Sequence, residues 1–139
     1  MMRIAVIDGQ GGAIGAQLIR QLIAKVPEAK IVAIGTNSIA TSNMLKSGAR
    51  TAATGENAVK VAARRADVIV GPVGIVIADA LWGEVTADMA AAIGASPAIR
   101  VLIPMSRCDT LIAGVAEAST SVLIDDAIKK IQTLEASNN

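Results

Sequence analysis

The chain has 139 residues, 53% of them apolar, and a formal charge of +1. That length suffices for one domain with a full core, and the near-neutral balance excludes the electrostatic footprint of a nucleic-acid or anionic-membrane binder. With no His, Tyr or Phe, one Trp and the single Cys108, the chain cannot build a Ser-His-Asp or Cys-His pair, a thiolate–imidazole zinc site, an internal disulfide or a row of stacked aromatics.

Residues 2–7 predict a first strand of aliphatic side chains, suited to a parallel sheet covered on both faces. Residues 12–26 predict a helix, with Ile14, Leu18, Leu22 and Val26 at helical period and Ile19 and Ile23 beside them. Pro27 stops it, and residues 30–34 form a second strand. Asn37 or Ser38 caps the next helix, which runs to about Ser47 with Gly48 as its C-terminal glycine. Residues 50–53 suit a short third strand or an extended connection, and Thr54 is expected to cap a helix ending at Arg65.

Residues 67–70 read as a compact strand closed by Gly71-Pro72-Val73-Gly74. Residues 75–81 are ambiguous between a helical turn and an extended segment. Thr86 caps a helix over residues 87–93, with Asp88 in its first turn where negative charge suits the dipole. Residues 98–103 are the next strand, ended by Pro104, and residues 111–115 suit a last strand at the edge. Ser119 or Ser121 starts a final helix with Ile124, Ala127, Ile128, Ile131 and Leu134 toward the core. Asp125 with Lys129 and Asp126 with Lys130 stand in the favourable order for ion pairs.

This alternation predicts an α/β fold, a Rossmann-like three-layer sandwich. Its mostly parallel sheet takes the order 3-2-1-4-5, with room for an extra edge strand. The domain spans residues 1–135, and residues 136–139 read as a frayed tail. The longest apolar stretch, residues 68–82, is interrupted by Gly71, Pro72, Gly74 and Asp79 and is too short to span a bilayer. The single Cys108 leaves no internal disulfide, so a reducing cytoplasm is the expected location.

Between the first strand and first helix lies Asp8-Gly9-Gln10-Gly11-Gly12-Ala13-Ile14-Gly15. The glycines fit G-x-x-G-x-x-G and a G-x-G start, though not the strict G-x-G-x-x-G form. Gly9 permits a tight turn, Gly12 a close approach to a diphosphate and Gly15 close helix packing, while free amides at the helix start face an anion. The same glycines also serve a turn that only reverses the chain. Asp8 is placed to bond a ribose hydroxyl, hold a metal ion or cap the loop amides.

At the end of the second strand, where an NAD-binding fold carries an acid, the chain has Gly35, Thr36 and Asn37. These small groups, with Lys46 or Arg50 nearby, favour the 2′-phosphate of NADP over NAD. They equally suit a mononucleotide, a sugar phosphate or simple helix capping. Gly71, Pro72 and Val73 follow on the same edge, as a second ligand contact or as a rigid turn. In residues 104–109, Arg107 can pair with a phosphate or carboxylate. Cys108 is a nucleophile only if its pKa is lowered, and otherwise an inert small residue. Asp79 and Glu84, flanking Trp82, are acid candidates that solvation explains as well.

Asp8-Gly9-Gln10-Gly11-Gly12, Gly35-Thr36-Asn37, Ala53-Thr54-Gly55-Glu56-Asn57, Gly71-Pro72-Val73-Gly74 and Ile103-Pro104 with Arg107-Cys108 together resemble a small bacterial family. Its members are single-domain proteins of about this length, a domain of unknown function with a Rossmann-like fold. The resemblance covers nearly the whole chain and implies the fold and a ligand site, without an activity. The glycine loop also resembles that of short-chain dehydrogenases, but their Tyr–Lys chemistry is excluded here for want of a Tyr.

The leading expectation is a protein that binds a nucleotide or dinucleotide phosphate at the glycine loop, as a sensor or accessory subunit. A second is a small enzyme acting on a phosphorylated metabolite through Asp8, Asp79 and Asp109, with Arg107 as anion anchor. A third is an interaction subunit, a homodimer through residues 75–93. No nucleic-acid or membrane partner is expected.

Overall fold

Alternate residues of the first strand face two different cores, and this sets the layering. The computed structural model describes residues 1–104, 109–116 and 118–137. In β1 (Arg3–Asp8), Ile4 and Val6 point into one apolar cluster and Ala5 and Ile7 into another. All four have no solvent exposure, and a buried Ile contributes about 1.5–3 kcal/mol. A strand without a polar face must lie in the middle of a covered sheet. β1 does so, between β2 (Lys30–Gly35) and β4 (Val68–Pro72). β3 (Thr51–Thr54) and β5 (Ile99–Ile103) form the edges of a five-stranded parallel sheet in the order β3-β2-β1-β4-β5.

The helices cover both faces. α1 (Ala13–Lys25), α2 (Ser38–Lys46) and α5 (Thr120–Ser137) close the first core, where Leu18, Leu22, Met44, Ile124 and Ile128 meet Ile4, Val6 and Val70. α3 (Glu56–Arg65) and α4 (Ala87–Gly94) close the second, with Val59, Met89 and Ile93 against Ile7, Ile34 and Ile69. Caps fall where short polar side chains precede apolar runs. Asn37 Oδ1 accepts from the Ala40 amide at 2.9 Å and Thr86 Oγ1 from the Met89 amide at 3.1 Å. Asp126 and Lys130 form an ion pair on α5.

Several expectations are corrected. Residues 111–115 contain no strand, so the sheet ends at β5. Gly71 and Pro72 belong to β4 rather than to a loop. A Cβ on Gly71 would lie 2.1 Å from the Ile7 carbonyl oxygen, so the residue is small because β1 is close. Val73–Val76 is a 3-10 turn, which settles the ambiguous stretch as helical at its start. Thr54 does not cap α3; its hydroxyl pairs with Thr41 at 2.7 Å, and Gly55 is the N-cap at φ 101°. α5 continues to Ser137, past the expected start of the tail. Within residues 75–93, Ile75, Val85, Met89 and Ile93 are buried in the chain's own second core, while Trp82 is exposed. Among the described residues, no helix is long and apolar enough to cross a membrane.

Candidate functional site

The register lines up Asp8, Gly35 and Thr54 at the carboxyl end of the sheet. β1 is the switch point of the strand order, where a crevice opens between connections leaving in opposite directions. The turn after β1 is sharp. Gly12, at φ 73°, donates its amide to the Gly9 carbonyl at 2.9 Å. A Cβ on Gly12 would meet the Ala40 backbone at 2.8 Å, so α1 starts against α2 with no room for a side chain.

Asp8 is 5% exposed and fully committed. Its Oδ1 accepts from the Gly9 amide at 2.8 Å and its Oδ2 from the Gly15 amide at 2.7 Å. Burial raises its pKa and the charge of Glu84 adds to the rise, while the amides of Gly15, Gly9 and Ile14 oppose it. Of the roles open to Asp8 in the sequence, capping the loop is the one its contacts show. The first turn of α1 therefore already holds one anion. Among the described residues, the Gly11 and Ala13 amides have no protein acceptor. Ile14 is half-buried against the first core.

A second carboxylate enters from the other side of β1. Glu84 Oε1 accepts from the Gln10 amide at 2.8 Å, Thr36 Oγ1 at 2.8 Å and Asn37 Nδ2 at 2.6 Å. Burial pushes the Glu84 carboxyl up, but the bonds from Gln10, Asn37 and Thr36 outweigh it and hold the pKa below its ordinary value. Asn37 Nδ2 also donates to the Gln10 carbonyl at 2.9 Å, and Asn43 Nδ2 donates to the Gly11 carbonyl at 2.6 Å. The turns after β1 and β2 are thus stitched into one polar surface.

Glu84 is delivered by an unusual backbone. Asp79, Leu81, Trp82 and Gly83 have φ of 64°, 57°, 59° and 85°. A left-handed conformation costs a non-glycine residue about 1–2 kcal/mol. A hydrogen bond to a charged group contributes about 1.5–3 kcal/mol. The three bonds to Glu84 are therefore of the right order to offset the strain of the turn that carries it. Leu81 reaches inward, its Cδ1 lying 2.8 Å from where a Cβ on Gly9 would stand, while Trp82 is 97% exposed at the tip.

Asp8, Gly9, Gln10, Gly11, Gly12, Ala13, Thr36 and Asn37 thus lie together at the carboxyl ends of β1 and β2, and Glu84, named in the sequence only as an acid candidate beside Trp82, is bonded among them. Its only signal is an acid one residue past Gly83, and nothing in that pattern says the turn folds back onto Gly9. Gly35 lies at the strand end against α2, where a Cβ would be 2.1 Å from Thr41 Oγ1. Gly71 and Pro72 are buried at the end of β4 and Val73 opens the 3-10 turn that follows, and Arg107 and Cys108 fall outside the described residues. Lys46 ends α2 and Arg50 precedes β3. Both lie a full element's length from the carboxyl end, about 10 Å or more.

Asp79 and Asp109 are exposed on separate connections. Among the described residues, no group of three His, Cys, Asp or Glu side chains is placed to hold a metal ion. A groove of about 630 Å³ lies elsewhere, between β5 and α5 and lined by Val101, Leu123, Ala127 and Leu134 among others. It borders the sheet edge rather than the carboxyl ends. Its Asp126 and Lys130 pair with each other.

A parallel sheet ordered 3-2-1-4-5, with a glycine turn at its switch point, defines a Rossmann-like α/β protein. The chain belongs to the family described as a domain of unknown function (DUF3842), whose profile matches residues 3–136. No curated protein matches the sequence. A dodecameric FMN-dependent UbiX-like decarboxylase from Escherichia coli O157:H7 is similar in fold. It has a TM-score of 0.52 and 14% identity over 98% of this chain and 95% of that one. A second similar structure is PA4631, a nucleoside-diphosphate-sugar epimerase from Pseudomonas aeruginosa. Its TM-score is 0.43, at 17% identity over 99% of this chain and 49% of that one. At 14% identity, the likeness to the decarboxylase speaks for the fold alone.

Proposed function

We propose that this chain binds a nucleotide at the crevice above β1 and β2, as a sensor or accessory subunit. The observation that carries the reading is the pair of amides on Gly11 and Ala13, which among the described residues have no protein acceptor, at the positive end of α1 beside the switch point. A diphosphate suits them because each of its oxygens accepts from an amide. The ribose then falls toward Thr36, Asn37 and Glu84. A binding role fits the chemistry better than catalysis, since both Asp8 oxygens are bonded to the backbone and Asp79 and Asp109 stand apart.

Calorimetric titration with ADP, ATP, NAD, NADP and FMN tests this, FMN being included because the decarboxylase of similar fold is described as dependent on it. Saturable one-to-one binding of a member of that panel is the expected result. Silence across the panel, in protein with an intact helical spectrum, contradicts it.

The reading as an interaction subunit is favoured by a different observation. Ile99, Leu111, Val115 and Val122 are 51%, 92%, 48% and 57% exposed, and Ile99 lies on the open edge strand β5. A homodimer formed there gives twice the 14.1 kDa chain mass in light scattering, and a monomer mass at micromolar concentration sinks it.

A further inference from the structure

We infer that Glu84 is the residue that sets which nucleotide the site accepts: it takes a free ribose 2′,3′-diol and turns away a 2′-phosphate. The inference rests on the nucleotide reading above and names its ligand class. The end of β2 offers no acid of its own, only Gly35, Thr36 and Asn37. Glu84 reaches those residues from the connection between β4 and α4 and places a carboxylate among them. The acid that a ribose diol needs as hydrogen-bond acceptor is therefore present, supplied by a different element.

The two carboxylate oxygens are unequal. Oε1 takes all three bonds, from Gln10, Thr36 and Asn37, while among the described residues Oε2 accepts from no protein donor. Glu84 is only half-buried, so Oε2 remains open to the crevice. An acceptor held at one oxygen and open at the other is already oriented for a ligand hydroxyl, without the loss of side-chain freedom that a loose surface glutamate would suffer.

Charge gives the same answer. A 2′-phosphate would meet the negative charge of Glu84, held in place by its bonds from Gln10, Thr36 and Asn37. Lys46 and Arg50, the cations that would neutralise it, lie at the far ends of α2 and β3. The expectation of NADP is therefore replaced by that of a nucleotide with an unmodified ribose.

The test is calorimetric titration of the full chain and of Glu84→Gln with NAD and NADP. The wild-type protein should bind NAD about tenfold or more tightly than NADP. In Glu84→Gln, with an unchanged circular dichroism spectrum, that ratio should fall close to one. A second arm needs no variant: wild-type protein should bind ADP about tenfold more tightly than 2′-deoxy-ADP. Trp82 is the chain's one Trp and stands two residues from Glu84, so its emission should shift as NAD is added.

Equal wild-type affinities for NAD and NADP, or a ratio unchanged by Glu84→Gln, overturn the inference and leave nucleotide binding standing. Tighter binding of both nucleotides by the variant also overturns it, because Glu84 would then be an internal competitor for the phosphate position. Binding of no nucleotide by either protein overturns the nucleotide reading and this inference together.

Discussion

Asp8 joins the end of a strand to the start of a helix through one buried side chain. Removing it leaves the Gly9 and Gly15 amides without their acceptor in a dry environment. Asp8→Ala should therefore cost about 2–4 kcal/mol in urea unfolding, and Asp8→Asn about half as much because one acceptor oxygen survives. The pH dependence has a definite sign. Burial raises the folded pKa of Asp8, so the folded chain binds this proton more readily than the unfolded one. Stability from this group then falls as pH rises from the ordinary aspartate value through the raised one, and Asp8→Asn should remove that fall. Asp67 behaves oppositely. The side-chain and backbone bonds from Arg3 lower its pKa, so its contribution is present above the ordinary value and is lost as pH falls through the lowered one. Urea midpoints across the acidic range, in wild type, Asp8→Asn and Asp67→Asn, separate the two.

The turn between β4 and α4 is the element whose conformation the sequence conceals. Leu and Trp are poor choices for a left-handed backbone, and only Gly83 hints at it. Trp82 buries almost nothing, so Trp82→Asn gives up little packing and gains a residue that tolerates φ near 59°. It should stabilise the fold by about 0.5–1 kcal/mol in thermal or urea unfolding. A loss of stability would show that the exposed ring serves the fold. The cap at Thr86 is the opposite case, legible because a hydroxyl precedes an apolar helix. Thr86→Ala should cost about 1 kcal/mol. Local chemistry of this kind made α1, α2 and α4 readable nearly to the residue. Thr54 misled because Gly55, with its free choice of φ, took the capping position instead.

At the scale of the whole molecule, the strand order follows from which strands lack a polar face. β1 and β4 are apolar on both sides and must be central, whereas β3 is short and exposed and can only be an edge. The edge strand expected over residues 111–115 fails because aliphatic composition alone does not supply a pairing partner. The candidate site was half legible. The glycine turn and the residues after β2 are contiguous motifs, but their link through Glu84 spans 47 and 48 positions of chain, a contact that no local pattern encodes.

That a nucleotide phosphate sits on the free amides of the β1–α1 turn is tested most directly by amide NMR spectra of the full chain titrated with ADP. The largest downfield proton shifts should fall on Gly11 and Ala13, with smaller ones at Gln10, Thr36, Asn37 and Glu84. Unmoved Gly11 and Ala13 amides at saturating ADP, or shifts confined to the groove between β5 and α5, would contradict it.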